Sequence, residues 1–174
     1  MYALVLTAIW LMLPAYLPNT AAALIKGKTQ IDFGKNFLDG RRIFGDGKTY
    51  RGFLGGALCG FVLGLVQNAS AGSLGFPYFP VDVLVYMSAG AMLGDLIKSF
   101  FKRRVKIERG RPFPLMDQLD FVFGAWLLTY LFARPWFSSN FTLPVIITVL
   151  VITPLLHLGM NAAGYKLGKK DVWW

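Results

Sequence analysis

Residues 94–124 have the sequence GDLIKSFFKRRVKIERGRPFPLMDQLDFVFG, and this stretch decides the fold and chemistry that we predict. It leaves an apolar segment at Asp95, crosses a basic loop and re-enters apolar sequence with Asp117 and Asp120. Carboxylates at a membrane boundary are costly in free energy, so three of them at one membrane face predict a bound cation. The lysines and arginines between them indicate a polyanion that arrives with the cation. The stretch therefore predicts a site for a metal ion and a nucleotide.

The composition around this stretch is that of a membrane protein. Of the 174 residues, 55% are hydrophobic, and the mean hydropathy is +0.51. We predict an all-α integral membrane protein with a single catalytic domain over residues 1–174 and five transmembrane helices. The predicted spans are about 3–25, 53–69, 81–101, 117–134 and 143–160. Two prolines, Pro14 and Pro18, are expected to kink the first span. The small residues 70–73 are expected to form the turn that ends the second.

The basic residues predict the orientation in the membrane. Of the 18 Lys and Arg residues, seven lie in the predicted loop 26–52, six in the loop 102–116 and three in the C-terminal tail. The loops on the other side hold only Arg134. Because cytoplasmic loops are enriched in Lys and Arg, we expect both basic loops and the C-terminus in the cytoplasm. The N-terminus is then outside.

The spacing of the carboxylates favours a divalent cation. Asp117 and Asp120 are three residues apart, so they share one face of a helix. Either of them alone could instead be a capping charge at the start of the fourth span. Capping does not explain Asp95, which lies within the end of the preceding span. Oxygen ligands without nearby Cys or His indicate Mg²⁺ rather than Zn²⁺.

The basic loop contains candidate phosphate ligands. Lys98, Ser99 and Lys102 follow Asp95 on or near its helical face. Residues 109–111, Arg-Gly-Arg, combine two bidentate donors with a glycine that lets an anion approach the backbone. For Arg103 and Arg104 we favour an ordinary positive membrane anchor.

The glycine-rich loop 32–56 offers a second set of phosphate ligands. Lys35, Lys48 and Arg51 accompany backbone N–H groups that can surround a phosphate. Gly47-Lys48-Thr49 resembles the end of a P-loop, but Arg42 stands where that motif needs glycine, so we reject a P-loop.

The fifth span carries the only histidine, His157, and Asn161 four residues later. This pair either packs within the protein or lines the same site, and the sequence does not decide between the two.

Two groups of residues resemble the archaeal CDP-archaeol synthase family, and the resemblance covers nearly the whole chain. The residues are Asp95, Ser99, Lys102-Arg103, Arg109-Gly110, Pro114, Asp117-Gln118 and Asp120-Phe121, together with Asp39-Gly40-Arg41-Arg42 and residues 47–52. The closing residues resemble the family as well, although Trp173 stands where family members tend to have proline. The family in turn resembles the C-terminal part of bacterial CDP-diacylglycerol synthase.

The resemblance implies a five-span enzyme of the cell membrane that works on the cytoplasmic side with Mg²⁺ and CTP. It would transfer CMP from CTP to an isoprenoid ether-lipid phosphate, unsaturated archaetidic acid, giving CDP-archaeol and pyrophosphate. Its partners would be these substrates and membrane lipids, without nucleic acid.

We assign roles on that basis as a hypothesis. The magnesium ligands would be Asp95, Asp117 and Asp120. The triphosphate, the lipid phosphate and the pyrophosphate would be bound by Lys35, Lys48, Arg51, Lys98, Lys102 and Arg109, with Ser99 beside them. The cytosine and ribose would be bound by Asn36, Asp39 and Thr49.

Two other classes of protein remain open from the sequence. A small cation channel or transporter could use Asp95 as an intramembrane ligand, but all three clustered carboxylates lie towards one face. A non-catalytic anchor for anionic lipids would need only the basic loops and leaves the carboxylates unexplained.

The predicted orientation can be tested by cysteine labelling. In a Cys59→Ser background, Lys106→Cys should react with an impermeant maleimide only from the cytoplasmic side, and Ser139→Cys only from outside. Labelling of position 106 from outside alone would contradict the orientation and the location of the site.

Overall fold

A computed structural model describes residues 2–25, 27–107, 111 and 113–166, and these residues form a helical bundle. The helices are α1 (Tyr2–Leu24), α2 (Tyr50–Leu74), α3 (Val81–Arg104), α4 (Met116–Phe132), α5 (Arg134–Asn140) and α6 (Leu143–Lys166). The described residues contain no strand, only the isolated bridges Gln30–Thr49 and Asn36–Arg42. The all-helical prediction is therefore confirmed.

Within the described residues, four helices are long and apolar enough to cross a membrane. They are α1, α2, α3 and residues 143–162 of α6. The remaining predicted span, the fourth at 117–134, corresponds to α4, which has 17 residues and begins with two carboxylates in its first five positions. It is followed at once by the short helix α5.

The basic loops lie together at one end of the bundle. The Lys48 ammonium pairs with Asp95 near the end of α3, and Arg41 Nη1 donates to the Arg103 carbonyl oxygen at 3.2 Å. At the opposite end, the Trp136 indole donates to the Tyr78 carbonyl oxygen at 3.0 Å. The connections 75–80 and 133–142 therefore lie at the end away from the basic residues.

Helices α3 and α4 are in backbone contact at three glycines. A Cβ atom on Gly94 would overlap the Asp120 carbonyl oxygen, and one on Gly124 would overlap that of Gly90. A Cβ atom on Gly90 would lie 2.5 Å from the Gly124 carbonyl oxygen. Small residues are what allow membrane helices to approach this closely. The four-residue spacing of Gly90 and Gly94 is a recognisable sign of such a contact that our sequence analysis missed.

Helices α1 and α2 also pack closely, through glycines of α2 and backbone carbonyl groups of α1. Glycines at positions 52, 56, 60 and 64 of α2 are all buried. The Pro14 and Pro18 carbonyl oxygens of α1 occupy the space where side chains of Gly60 and Gly56 would be. The two prolines, which we expected to kink the first span, lie within one continuous helix and are buried.

Pro14 removes one hydrogen bond from the backbone of α1, and a side chain of α2 supplies the missing donor. A proline has no N–H, so the Trp10 carbonyl oxygen four residues earlier loses its donor. The Gln67 amide of α2 donates to that oxygen at 3.0 Å, and Gln67 is itself buried. The replacement fits the rule that backbone polar groups in a membrane must be satisfied within the protein.

Several helices extend beyond the predicted spans. Residues 70–73, which we predicted to be a turn, belong to α2, and the Ser70 and Ser73 hydroxyls donate to carbonyl oxygens of the preceding turn. The helix ends instead at Gly75, whose φ of 70° is left-handed. Helix α3 continues to Arg104 and therefore contains Lys102.

The α3–α4 contact predicts a large difference between two glycine substitutions. Gly94→Ala should lower the free energy of unfolding by about 1–3 kcal/mol, because the added methyl group meets backbone that cannot move aside. Gly72→Ala is the matched control, since nothing lies within 4 Å of its added Cβ and alanine favours a helix. Thermal unfolding in detergent measures both. Equal stability of the two variants would contradict the packing.

Candidate active site

The site is centred on the Lys98 ammonium group. Its Nζ lies 2.8 Å from Asp120 Oδ2, 3.1 Å from Asp95 Oδ1 and 3.5 Å from Asp117 Oδ1. The three carboxylates that we predicted to converge thus surround one positive charge. We call Asp95, Lys98, Asp117 and Asp120, with Lys48 and Lys102, the carboxylate–lysine cluster.

The helices fix these groups before any ligand binds. Asp95 and Lys98 are one turn apart on α3, as Asp117 and Asp120 are on α4. The glycine contact of Gly94 with the Asp120 backbone brings the two turns face to face. Asp95 and Asp120 are buried, whereas the Asp117 side chain is 25% exposed.

Two further lysines complete the cluster from opposite sides. Lys48, from the loop before α2, pairs with Asp95. Lys102 Nζ lies 3.1 Å from Asp117 Oδ2 and donates to the Arg111 carbonyl oxygen at 2.8 Å. The cluster thereby balances three carboxylates with three ammonium groups.

Capping does not explain the carboxylates of α4. No side chain caps the helix start, and Asp117 Oδ2 accepts a hydrogen bond from the Phe113 N–H outside the helix at 2.7 Å. The Asp120 carboxylate is buried, and its Oδ2 lies 2.8 Å from Lys98 Nζ. Asp120 therefore pairs with a cation of the neighbouring helix, Lys98 of α3.

The carboxylates do not form a ready-made metal site in this arrangement. Within the part of the chain that the structure describes, no three Asp, Glu, His or Cys side chains are grouped as metal ligands. The Lys98 ammonium occupies the space between them. The predicted Mg²⁺ site at Asp95, Asp117 and Asp120 thus stays a prediction.

A second polar network shapes the loop that carries Lys48. The buried Asp32 carboxylate accepts hydrogen bonds from the N–H groups of Gly34, Phe44 and Gly45 at 3.0–3.1 Å. It also accepts one from Arg42 Nη2 at 2.6 Å. Burial alone would raise the pKa of Asp32, but these donors outweigh it and lower the pKa to about 2.

Arg104 fastens the same loop to the end of α3. Its guanidinium lies over the rings of Phe37 and Phe100, with centroid distances of 4.9 and 4.8 Å. Arg104 Nη2 donates to the Arg42 carbonyl oxygen at 2.6 Å, and Arg104 Nε lies 3.0 Å from Asp39 Oδ2. Our interpretation of Arg104 as a simple membrane anchor is therefore wrong. No sequence pattern indicated the contacts with Phe37, Asp39 and Arg42, because they join residues more than 60 positions apart.

Other predicted site residues have structural contacts of their own. Thr49 caps α2, its hydroxyl accepting from the Gly52 N–H at 3.1 Å. The Ser99 hydroxyl donates to the Asp95 carbonyl oxygen at 2.8 Å, within its own helix. Asp39 accepts from the Arg41 N–H at 3.1 Å in addition to its pairing with Arg104.

The remaining predicted ligands are not gathered into the cluster. Lys35, Asn36 and Arg51 are exposed, and their side chains do not contact the cluster in the described structure. Arg109 lies outside the described residues. On α6, Asn161 is buried and lies 3.3 Å from His157 Nδ1, so these two residues contact each other.

Comparison with known proteins identifies a family over the entire chain. A family model described as CarS-like, CDP-archaeol synthase, matches residues 1–174. A CDP-archaeol synthase of Methanospirillum hungatei is 53% identical over 166 residues, covering 94% of this chain and 100% of the relative. One from Methanosarcina barkeri is 50% identical, covering 93% of this chain and 100% of the relative.

A solved structure has the same fold. It is an intramembrane enzyme for archaeal membrane lipid biosynthesis, 36% identical to this chain, with a TM-score of 0.77. The match covers 90% of this chain and 94% of the other.

The Asp32 network predicts how the loop responds to acid. Because the folded pKa of Asp32 is lowered to about 2 from 3.8, its stabilisation is present above pH 3.8 and lost as the pH falls through about 2. A shift of this size corresponds to about 2 kcal/mol. Asp32→Asn should remove the same stabilisation at neutral pH and speed hydrogen exchange at residues 33–45. Exposed Asp46→Asn is the control, and equal exchange in both variants would contradict the role of Asp32.

Proposed function

The chain belongs to the CDP-archaeol synthase family, and we propose that it transfers CMP from CTP to an isoprenoid ether-lipid phosphate. The lipid would be unsaturated archaetidic acid, and the products CDP-archaeol and pyrophosphate. The observation that carries the proposal is the match to CDP-archaeol synthases at about half identity over nearly the whole chain. These relatives give no support to the alternative of a cation channel or transporter.

The chemistry needs no general base from the protein. A lipid phosphate is already an anionic nucleophile, and its oxygen attacks the α-phosphorus of CTP. The bond from that phosphorus to the bridging oxygen breaks, and pyrophosphate leaves with the electron pair. The protein has to align the two phosphates and neutralise their charge. Three ammonium groups held within one cluster, those of Lys48, Lys98 and Lys102, suit this task.

The carboxylates fit a bound Mg²⁺ by their chemistry. They offer only oxygen ligands, which this ion prefers, and they already surround one cation, the Lys98 ammonium. Asp95, Asp117 and Asp120 would hold the ion once Lys98 moved from the space between them. Mg²⁺ supplies charge stabilisation to phosphate oxygens when it is bound.

Lys98 would then have two roles in one site. Without a metal ion, it neutralises carboxylates that would otherwise repel one another in a buried position. With a metal ion and nucleotide present, the same ammonium becomes available for a phosphate oxygen. Its unbranched, flexible stem allows such a movement.

The remaining ligands are assigned by the sequence. Lys35, Arg51 and Arg109 would add contacts to phosphates, and Ser99 would support Asp95 from within α3. Asn36, Asp39 and Thr49 would contact the cytosine and ribose. Of these three, Thr49 and Asp39 would do so in addition to their structural hydrogen bonds.

We further propose that the chain spans the membrane five times, with the N-terminus outside and the active site facing the cytoplasm. The distribution of Lys and Arg supports this orientation. In this arrangement α4 is the fourth span, and its carboxylate end lies at the cytoplasmic interface. The lipid tails would enter sideways between helices while the phosphate stays at the level of the cluster.

The proposal is tested by turnover of purified protein with CTP, a lipid phosphate and varied Mg²⁺. We expect release of pyrophosphate and an organic-soluble cytidine product. Asp120→Asn should nearly abolish turnover, because asparagine keeps the shape but removes a charged oxygen from a hard cation. Asp117→Asn should also nearly abolish turnover. The double variant should lose little more turnover than either single variant, since the two residues act as a unit.

Asp82→Asn, at the opposite end of α3, is the matched control and should retain activity. Absence of a cytidine product from wild-type protein would contradict the function. Near wild-type turnover of Asp120→Asn at limiting Mg²⁺ would remove that residue from the metal site and leave the function intact.

A further inference from the structure

A basic cleft lies beside the carboxylate–lysine cluster, between the glycine-rich loop and the end of α3. It has a volume of about 400 Å³ and is lined by Arg41, Arg42, Arg103, Lys106 and Ile107. Four of these five residues are cations. None of the four belongs to the phosphate ligands that we assign to the reaction.

The charges in the cleft are only half balanced. Arg42 pairs with Asp32 at 2.6 Å and also with Asp46. Across residues 2–25, 27–107, 111 and 113–166, no ion pair reaches Arg41, Arg103 or Lys106. Among the described residues, four cations against two carboxylates leave two positive charges at the cleft, whereas the carboxylate–lysine cluster has no surplus charge. The surplus predicts a dianion in the cleft.

Two of the lining arginines also carry unsatisfied donors. The Nε atoms of Arg42 and Arg103 are buried and have no hydrogen-bond partner among the described residues. Such donors are costly when they are left unpaired. Arg103 Nε faces Gly45, where an added Cβ would lie 3.6 Å away. The glycine therefore leaves space next to a donor that lacks an acceptor.

The walls of the cleft are fixed in advance. Arg41 Nη1 donates to the Arg103 carbonyl oxygen at 3.2 Å, which joins the two sides directly. Arg104, stacked on Phe37 and Phe100, fastens the loop to α3, and the Asp32 network holds Arg42. The lining side chains are therefore already ordered in the folded protein. Binding then loses little conformational entropy, which favours affinity.

We propose that this cleft binds a doubly charged phosphate group at a position separate from the carboxylate–lysine cluster. Arginine and lysine side chains together suit a phosphate, because guanidinium groups bind its oxygens in pairs and ammonium adds a point charge. The shared chemistry fits free pyrophosphate and the phosphomonoester headgroup of a lipid. The inference concerns binding alone and does not rest on the proposed transfer reaction.

The test is a titration of the detergent-purified full chain, by calorimetry, with two probes. One probe is inorganic pyrophosphate and the other is a short-chain lipid phosphomonoester. Arg103→Gln and Lys106→Gln should each weaken binding of the probe that occupies the cleft by roughly 10-fold or more, as expected for loss of one charge-assisted bond. Exposed Lys28→Gln makes the same change of net charge in the segment between α1 and α2, outside the lining of the cleft, and should alter binding by less than about 2-fold.

The pattern of losses identifies the source of the phosphate. Weakened binding of pyrophosphate alone identifies a soluble diphosphate, and weakened binding of the lipid alone identifies a headgroup. Equal losses in Lys28→Gln would mean that net charge alone acts and would overturn the site. It would also be overturned if Lys98→Gln abolished binding of both probes while Arg103→Gln left both unchanged, or if neither probe bound the wild-type chain. Lys106 is exposed, so its variant keeps the test valid if Arg103→Gln fails to fold.

Discussion

The backbone contact between α3 and α4 is the constraint on which the rest of the structure depends. Gly90, Gly94 and Gly124 let the two helices approach until carbonyl oxygens of one meet Cα atoms of the other. This separation is what brings Asp120 within 2.8 Å of Lys98. A side chain at any of the three positions would push the helices apart and separate the carboxylates from the ammonium that balances them. The same residues that allow packing in an apolar environment therefore determine the electrostatics of the site.

The buried charges at this end of the bundle are balanced by ion pairs. Buried or half-buried carboxylates are each matched by a cation: Asp95 by Lys48 and Lys98, Asp120 by Lys98, Asp117 by Lys102, and Asp32 by Arg42. Isolated buried charges would be far more costly. Such a site keeps its shape without ligand, and its ammonium groups are close to where phosphates would bind. Among the described cations that have no ion pair, Arg41, Arg103 and Lys106 line the neighbouring cleft.

Much of this arrangement was predictable because it depends on local patterns. The all-helical fold follows from the long apolar segments. The position of Asp117 and Asp120 on one face of a helix follows from helical periodicity. The resemblance in residues 94–124 led to the family that the whole-chain match establishes. The ends of helices were less predictable. Residues 70–73 look like a turn because they are small and polar, yet serine hydroxyls can donate to the preceding turn of a helix and remain within it.

The sequence by itself determined the helical fold, the family and the carboxylates and basic residues that cluster at one end of the bundle. Only the tertiary structure decided which cation meets which carboxylate across elements, because those pairs join residues far apart in the chain. Lys48 pairs with Asp95 across 47 positions, and Arg104 holds the loop at Arg42 across 62. The sequence shows which charged residues are present, but which of them form ion pairs depends on how closely the helices approach. That distance is set by contacts between glycines of one helix and the backbone of another, which are properties of packed helices rather than of any single segment.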